Sequence, residues 1–422
     1  MTKLERSLSL WELTLMSVGI ILGAGIYVIL GEAAGLSGNS LWLSFIIAAI
    51  VATLTALSYA ELSSRFPKAG AEYVYVENSF GKRLAWLVGW LIIAGSVIAS
   101  ATVAIGFSRY FSAIFDTPIL AVAFIMLIII GIILIIGVQE TATLTIIFMV
   151  IEAIGLIIII IIGLPNFGKV NYFEAAQGFK GIIEGGVLIF FSYLGFEGIT
   201  RLAAETENPK KNIPKAIIYS IVITTIVYIL VGIAAVSVVP WEELAHAKAP
   251  LALVAERVFG SNSFLILSII ALFSTFNTAL VMLLSGSRLI FGIAERKALP
   301  RIFMSVLKRF KTPWASIIVI IIASMLFLLL EDLKTIANLT NFTIFVVFIV
   351  INASVIYFRY KKPIDKGFKV PLSVGRFPII PLFGIITSVF MITNLSLFVL
   401  ALGAVLIIVG IIVDLILNIK YE

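Results

Sequence analysis

The sequence predicts an all-α integral membrane protein of about twelve transmembrane helices. Three observations predict it: the composition, the length of the apolar runs and the placement of the basic residues. The chain has 422 residues, 61% hydrophobic and 13% charged, with a mean hydropathy of +1.17. Soluble domains run at roughly 45–50% apolar and about 25% charged. A hydrocarbon core needs about 20 apolar residues per helix. Runs such as 119–138 and 146–163 meet that length and could not face water.

Along the chain, the spans fall at 10–30, 40–62, 84–110, 119–138, 141–163, 181–204, 213–239, 262–292, 314–331, 333–358, 378–393 and 397–419. The last two share one apolar block that divides at Asn394. The first run, from Leu10 to Leu30, is longer than the roughly 7–15 residues of a cleavable signal core. With the N-terminus in the cytoplasm, 24 of the 30 Lys and Arg residues fall on the cytoplasmic side, the bias that membrane insertion imposes. A wrong helix count in the first ten spans would scramble this asymmetry, so count and orientation support each other. A multi-pass protein of the cell membrane with both termini cytoplasmic is expected. The six Trp fall at or near span ends, where indole prefers the headgroup region. The net charge of +7 is read as basic loops, with no nucleic-acid partner.

The longest polar stretches are 64–83, 164–180, 240–261, 296–313 and 359–377, so no soluble domain is expected. There is no Cys, the one His, His246, lies in a polar stretch, and Asp116, Asp332, Asp365 and Asp414 are far apart. Neither a metal site nor a nucleophile cluster is foreseen, so no cofactor and no enzyme chemistry are expected.

Span 1 contains Gly19-Ile20-Ile21-Leu22-Gly23-Ala24-Gly25-Ile26, and span 6 contains Phe190-Phe191-Ser192-Tyr193-Leu194-Gly195-Phe196-Glu197-Gly198. Both put glycines at mid-membrane depth, five spans apart. Small residues can simply let helices pack closely. Transporters with inverted repeats, however, interrupt corresponding helices of their two halves at this depth. The halves would then be 1–163 (spans 1–5) and 181–358 (spans 6–10), with 378–419 (spans 11 and 12) added on. A broken helix frees amides at the start of its outer half, which attract a carboxylate, and carbonyls nearby, which accept from an ammonium. Together these suit a zwitterion. No G-x-x-x-x-G-K-[ST] phosphate loop occurs, so uphill transport would draw on an ion gradient or an exchange partner.

Glu152 and Glu197 sit well inside spans 5 and 6. A charge at bilayer centre costs about 2.5–3.5 kcal/mol on insertion scales, so a function or a partner is expected for each. The structural alternatives are a hydrogen-bonded acid at Glu152 and a contact holding the span 6 break at Glu197. Glu184, Arg109 and Arg201 lie nearer span ends, where snorkelling accounts for them. In span 8, Ser274 and Thr275, with Asn277 and Thr278, could ligate a small cation or bond back to their own helix.

Four stretches resemble the amino acid–polyamine–organocation superfamily of permeases. Gly23-Ala24-Gly25-Ile26-Tyr27 is similar to that family's first-helix G-[SA]-G-I-F. Residues from Pro67-Lys68-Ala69-Gly70 to Tyr75, ending at Phe80-Gly81, look like the P-x-x-G-G-x-Y-x-Y segment after helix 2. Gly195-Phe196-Glu197 through Glu205 to Pro214 resembles the sixth-helix signature with its N-P-x-x-x-x-P loop. Phe368-Lys369-Val370-Pro371, with Pro378 and Pro381, looks like the loop before helix 11. The resemblance implies a LeuT-type 5+5 inverted repeat plus two extra helices, with helices 1 and 6 broken and alternating access to a site between them. It further implies that Gly23, Ala24 and Gly25 offer amides to a substrate carboxylate, and that Ile21 and Leu194, beside Gly195, offer carbonyls to its amine. Phe191 matches the aromatic that covers the substrate, and Glu197 a carboxylate just past the break. Many proton-coupled members carry a Lys in mid-helix 5; the matching position here is Glu152, so the charge is inverted. The expected function is secondary transport of amino acids through the lipid bilayer, coupled to H+ or by exchange. The alternatives are sodium coupling, or transport of a polyamine, another organic cation or an inorganic ion.

Overall fold

The computed structural model describes residues 8–66, 71–137, 141–204, 206–295, 299–361 and 367–421. Lys3, Arg6, the Pro67–Gly70 portion of the second motif and Glu205 lie outside the described residues, as does the side chain of Arg201. Nine described helical stretches are long and apolar enough to cross a membrane by length and composition, and three shorter apolar helices accompany them.

Span 1 is two helices, α1 (Leu10–Leu22) and α2 (Ala24–Ser37), divided at Gly23. A capping box starts α1: Ser9 Oγ accepts from Glu12 N–H while Glu12 Oε2 accepts from Ser9 N–H. The outer half runs past the expected end at 30, because its small and apolar residues continue until Gly38, at φ 63, can turn the chain. Then come α3 (Leu41–Arg65), α4 (Ala71–Phe80), α5 (Lys82–Phe115), α6 (Ile119–Ile136) and α7 (Thr141–Gly163). Span 6 is α8 (Gly178–Ile189), a 3-10 turn Phe190–Tyr193, and a second 3-10 stretch Phe196–Ala204. Between the two turns the backbone is extended at Leu194, and Gly195 has φ 120, a conformation open to glycine.

The chain continues through α9 (Pro209–Val238), α10 (Trp241–His246), α11 (Pro250–Phe259), α12 (Ser261–Glu295), α13 (Trp314–Leu328), α14 (Leu333–Lys361), α15 (Ile379–Thr393) and α16 (Leu397–Tyr421). Three of the polar stretches are therefore built rather than loose. One holds α4, another holds α10 and α11, and the third holds a hairpin pairing Ser373–Val374 with Phe377–Pro378.

In the core, α5 lies along α12 and α14, and α9 lies along α1 and α3. The outer faces of α6 and α16 expose Ile125, Ile132, Ile136, Ile408 and Ile412. Those faces suit hydrocarbon, where the helix keeps its backbone groups paired internally.

Trp86 and Trp90 lie towards the start of α5, and their indole N–H groups are spent within the protein. Trp86 Nε1 donates to the Gly410 carbonyl (3.0 Å) and Trp90 Nε1 to the Leu406 carbonyl (2.9 Å), tying α5 to α16. The spacing of four on both helices sets the two bonds one turn apart. Arg109 departs from the sequence expectation. It does not simply snorkel but pairs with Glu32 of α2 at 2.7 Å.

At the opposite end of the bundle, Glu61 of α3 is buried and takes two bonds from Arg359 of α14 at 2.8 and 2.6 Å. The Phe368–Pro371 segment is pinned there too. Val370 N–H donates to Glu61 Oε2 and Phe368 N–H to Ser64 Oγ. Leu8 makes an isolated bridge to Thr206, with Glu207 N–H donating to the Leu8 carbonyl.

Candidate functional site

The two breaks press on each other. A Cβ on Gly25 would lie 2.6 Å from Ser192 Cα, and a Cβ on Gly195 would lie 2.7 Å from Ile20 Cγ2. At Gly25 backbone meets backbone, and at Gly195 the positive φ as well as the close side chain favours glycine. Phe191 is 2% exposed and the neighbouring Phe190 packs on Phe345 and Phe348. The irregular backbone is thus wrapped in protein, as its depth in the membrane demands.

Several of the freed polar groups have partners. Ala24 N–H donates to Thr278 Oγ1 of α12 at 3.0 Å. Tyr228 Oη of α9 reaches the Ile21 carbonyl at 2.6 Å and the Ser192 carbonyl at 2.9 Å, so one phenol touches both broken helices. At the second break, Gly195 N–H donates to Glu197 Oε2 at 3.0 Å, and Leu194 N–H turns back to the Phe191 carbonyl.

Glu152 lies one layer away, on α7. It is 1% exposed, and Ser274 Oγ of α12 donates to its Oε1 at 2.6 Å. Its backbone carbonyl accepts from Tyr27 Oη of α2 at 2.8 Å. The fit is close: a Cβ on Gly155 would meet Tyr27 Oη at 2.5 Å, and one on Gly19 would meet the Met149 side chain. So α7 rests against both halves of span 1, and Glu152 is mechanically joined to the break four residues before Tyr27.

The residues singled out from the sequence divide into three groups. Ile21, Gly23, Ala24, Gly25, Phe191, Leu194 and Gly195 converge at the facing breaks. Glu152 and Ser274 form a neighbouring pair. Glu197 holds its own helix's break, and Thr275 Oγ1 donates back to the Ala271 carbonyl at 2.7 Å, so its hydroxyl is spent within α12. Tyr228 escaped selection, and Thr278 was singled out for a different role, as a cation ligand or a bond back to its own helix, not as the partner of Ala24 N–H. Thr278 carried a signal in the hydroxyl run of span 8. Tyr228 carried a weaker one, a phenol inside an apolar run, whose hydroxyl needs a partner when buried.

Paired broken helices in an all-α bundle with a lipid-facing surface define a class, that of multi-pass membrane transporters. The chain belongs to the amino acid permease family, whose model matches residues 8–415. Its relatives include a branched-chain amino acid permease of Bacillus subtilis, 28% identical over 93% of this chain and 89% of that protein. A methylthioribose transporter of the same organism is 29% identical over 90% of this chain and 86% of its own length. The vacuolar cationic amino acid transporter 4 of Arabidopsis thaliana is 28% identical over 88% of this chain and 65% of that protein.

Proposed function

We propose that this protein carries amino acids across the cell membrane by alternating access, with the substrate held between the breaks of spans 1 and 6. The observation that carries the reading is the contact of Gly25 with Ser192 and of Gly195 with Ile20. It brings the amides at the start of α2 and the carbonyls of Ile21 and Ser192 into one small volume. Amides at a helix start favour a carboxylate and free carbonyls favour an ammonium. Relatives named for branched-chain and cationic amino acids support the substrate class. In this reading, residues 1–163 and 181–358 are inverted repeats that rock against each other, and both termini are cytoplasmic.

Coupling is assigned to Glu152 and to a proton. Its side-chain partner is a hydroxyl, and loss of water disfavours a bare carboxylate in general. A proton taken up from one side would be released when the cavity opens to the other. A sodium ion held by Glu152 and Ser274 is the competing arrangement, since hard oxygen ligands suit such an ion. Uptake of a radiolabelled amino acid panel into proteoliposomes, with proton and sodium gradients imposed separately, tests both. Accumulation under a proton gradient alone is expected. Accumulation that requires sodium at fixed pH would transfer the coupling to the ion, and no uptake of any amino acid would end the substrate reading.

A further inference from the structure

Both poles of the span 1 break are already met by hydroxyls from neighbouring helices. At the donor pole, Thr278 Oγ1 accepts from Ala24 N–H. At the acceptor pole, Tyr228 Oη sits between the carbonyls of Ile21 and Ser192. A phenol has one proton, so it serves two carbonyls by sharing. Tyr228 is buried and wedged between Phe45, at a ring separation of 5.6 Å, and Tyr193, edge-on at 5.3 Å. These satisfied groups are of the two kinds that an amino acid would use: an amide for its carboxylate, carbonyls for its ammonium.

We infer that Thr278 and Tyr228 are internal surrogates for the two ends of the substrate. They are positioning residues whose hydroxyls satisfy the break while the carrier is without substrate, and which yield to carboxylate and ammonium when it binds. The inference rests on the amino-acid reading of this site. A buried amide or carbonyl left without a partner costs more than a made bond gains, so a substrate-free carrier with bare poles is a high-energy state. The hydroxyls lower that state, and substrate affinity is then the difference between its contacts and theirs. Because Tyr228 touches both broken helices at once, it also gives the substrate-free carrier a closed form. Return without substrate, and hence net uptake as opposed to strict exchange, follows from that form. If the phenol were only a brace for the bundle, its removal would loosen the protein with and without substrate alike.

The test uses Thr278→Val and Tyr228→Phe, which delete one hydroxyl each and keep the shape, with Thr278→Ser restoring one. Binding is read as thermal stabilisation of the purified protein by each of the twenty proteinogenic L-amino acids, with Phe191→Ala as a site control. Each deletion is expected to lower the melting temperature without amino acid and to tighten binding about tenfold, since the substrate no longer displaces a hydroxyl. Net uptake into proteoliposomes should slow while exchange persists, and Thr278→Ser should behave as the parent. Unchanged or weaker binding in folded Tyr228→Phe and Thr278→Val, with Phe191→Ala losing binding, would overturn the surrogate role and leave the site standing. Normal binding by Phe191→Ala, or stabilisation of the parent by none of the twenty, would remove the site reading and this inference together.

Discussion

The two breaks solve one problem in different ways. Span 1 breaks at a single residue: α1 ends at Leu22, α2 begins at Ala24, and ordinary helix lies on both sides. Span 6 loses regular α-helix over a longer stretch, from the 3-10 turn at Phe190 to the end of the 3-10 stretch at Ala204. The partners differ as well. The amide freed in span 1 is taken by Thr278, 254 residues away in sequence, whereas the amide at Gly195 is taken by Glu197, two residues away. The first break therefore borrows its stability from α9 and α12, and the second carries much of its own. A break satisfied by neighbours changes its energy whenever those neighbours move. A break capped from within can travel as a unit.

Gly25→Val should have the largest effect on this comparison. Its Cβ would press on the backbone of Ser192, which has no side-chain freedom to yield. Overpacking of this kind costs about 1–3 kcal/mol and sometimes more. We expect complete loss of uptake, measured in proteoliposomes against protein that still elutes as a single species. Parental uptake by this variant would separate the two breaks and dissolve the shared site.

Glu152→Gln comes next. It keeps an oxygen to accept from Ser274 and removes the charge that a proton or sodium ion would neutralise. Gradient-driven accumulation should vanish while exchange of substrate for substrate continues. A variant that accumulates as well as the parent under both gradients would make Glu152 a structural acid, and Glu197 would be tested in its place.

Gly195→Ala should act mainly on the second break. The residue holds φ 120, where a side chain costs about 1–3 kcal/mol. The nearest contact it would make is with Ile20 Cγ2, a side-chain methyl rather than backbone, with the Ile20 carbonyl behind it at 3.3 Å. A lower melting temperature with measurable residual transport is expected. Loss as complete as that of Gly25→Val would show that the second break is no more self-sufficient than the first.

Glu197→Gln should do least. The amide side chain still offers an oxygen to Gly195 N–H, and the weakening from charged to neutral acceptor is about 1 kcal/mol. A small fall in melting temperature with unaltered ion dependence is expected. A change in ion dependence would move Glu197 from holding the break to coupling.

The sequence by itself determined the long apolar helices, the interrupted pair and the glycines, but not the short helices α4, α10 and α11. Hydropathy acts on each segment in turn, because every stretch of about 20 residues either tolerates hydrocarbon or does not. Gly23 and Gly195 were visible because a backbone that leaves helical geometry at mid-membrane leans on residues without a Cβ. Glu152 was visible because a carboxyl is out of place there. The tertiary structure alone decided who answers whom. Tyr228 reaches Ile21 across 207 residues, Glu152 meets Ser274 across 122, and Arg359 meets Glu61 across 298. A hydroxyl inside a span has the same local signature whether it bonds back to its own helix, as Thr275 does, or crosses to another, as Ser274 does one residue earlier. Which of the two happens depends on the rotation of α12 against α7 and α2, and that rotation is fixed by packing among helices far apart in the chain.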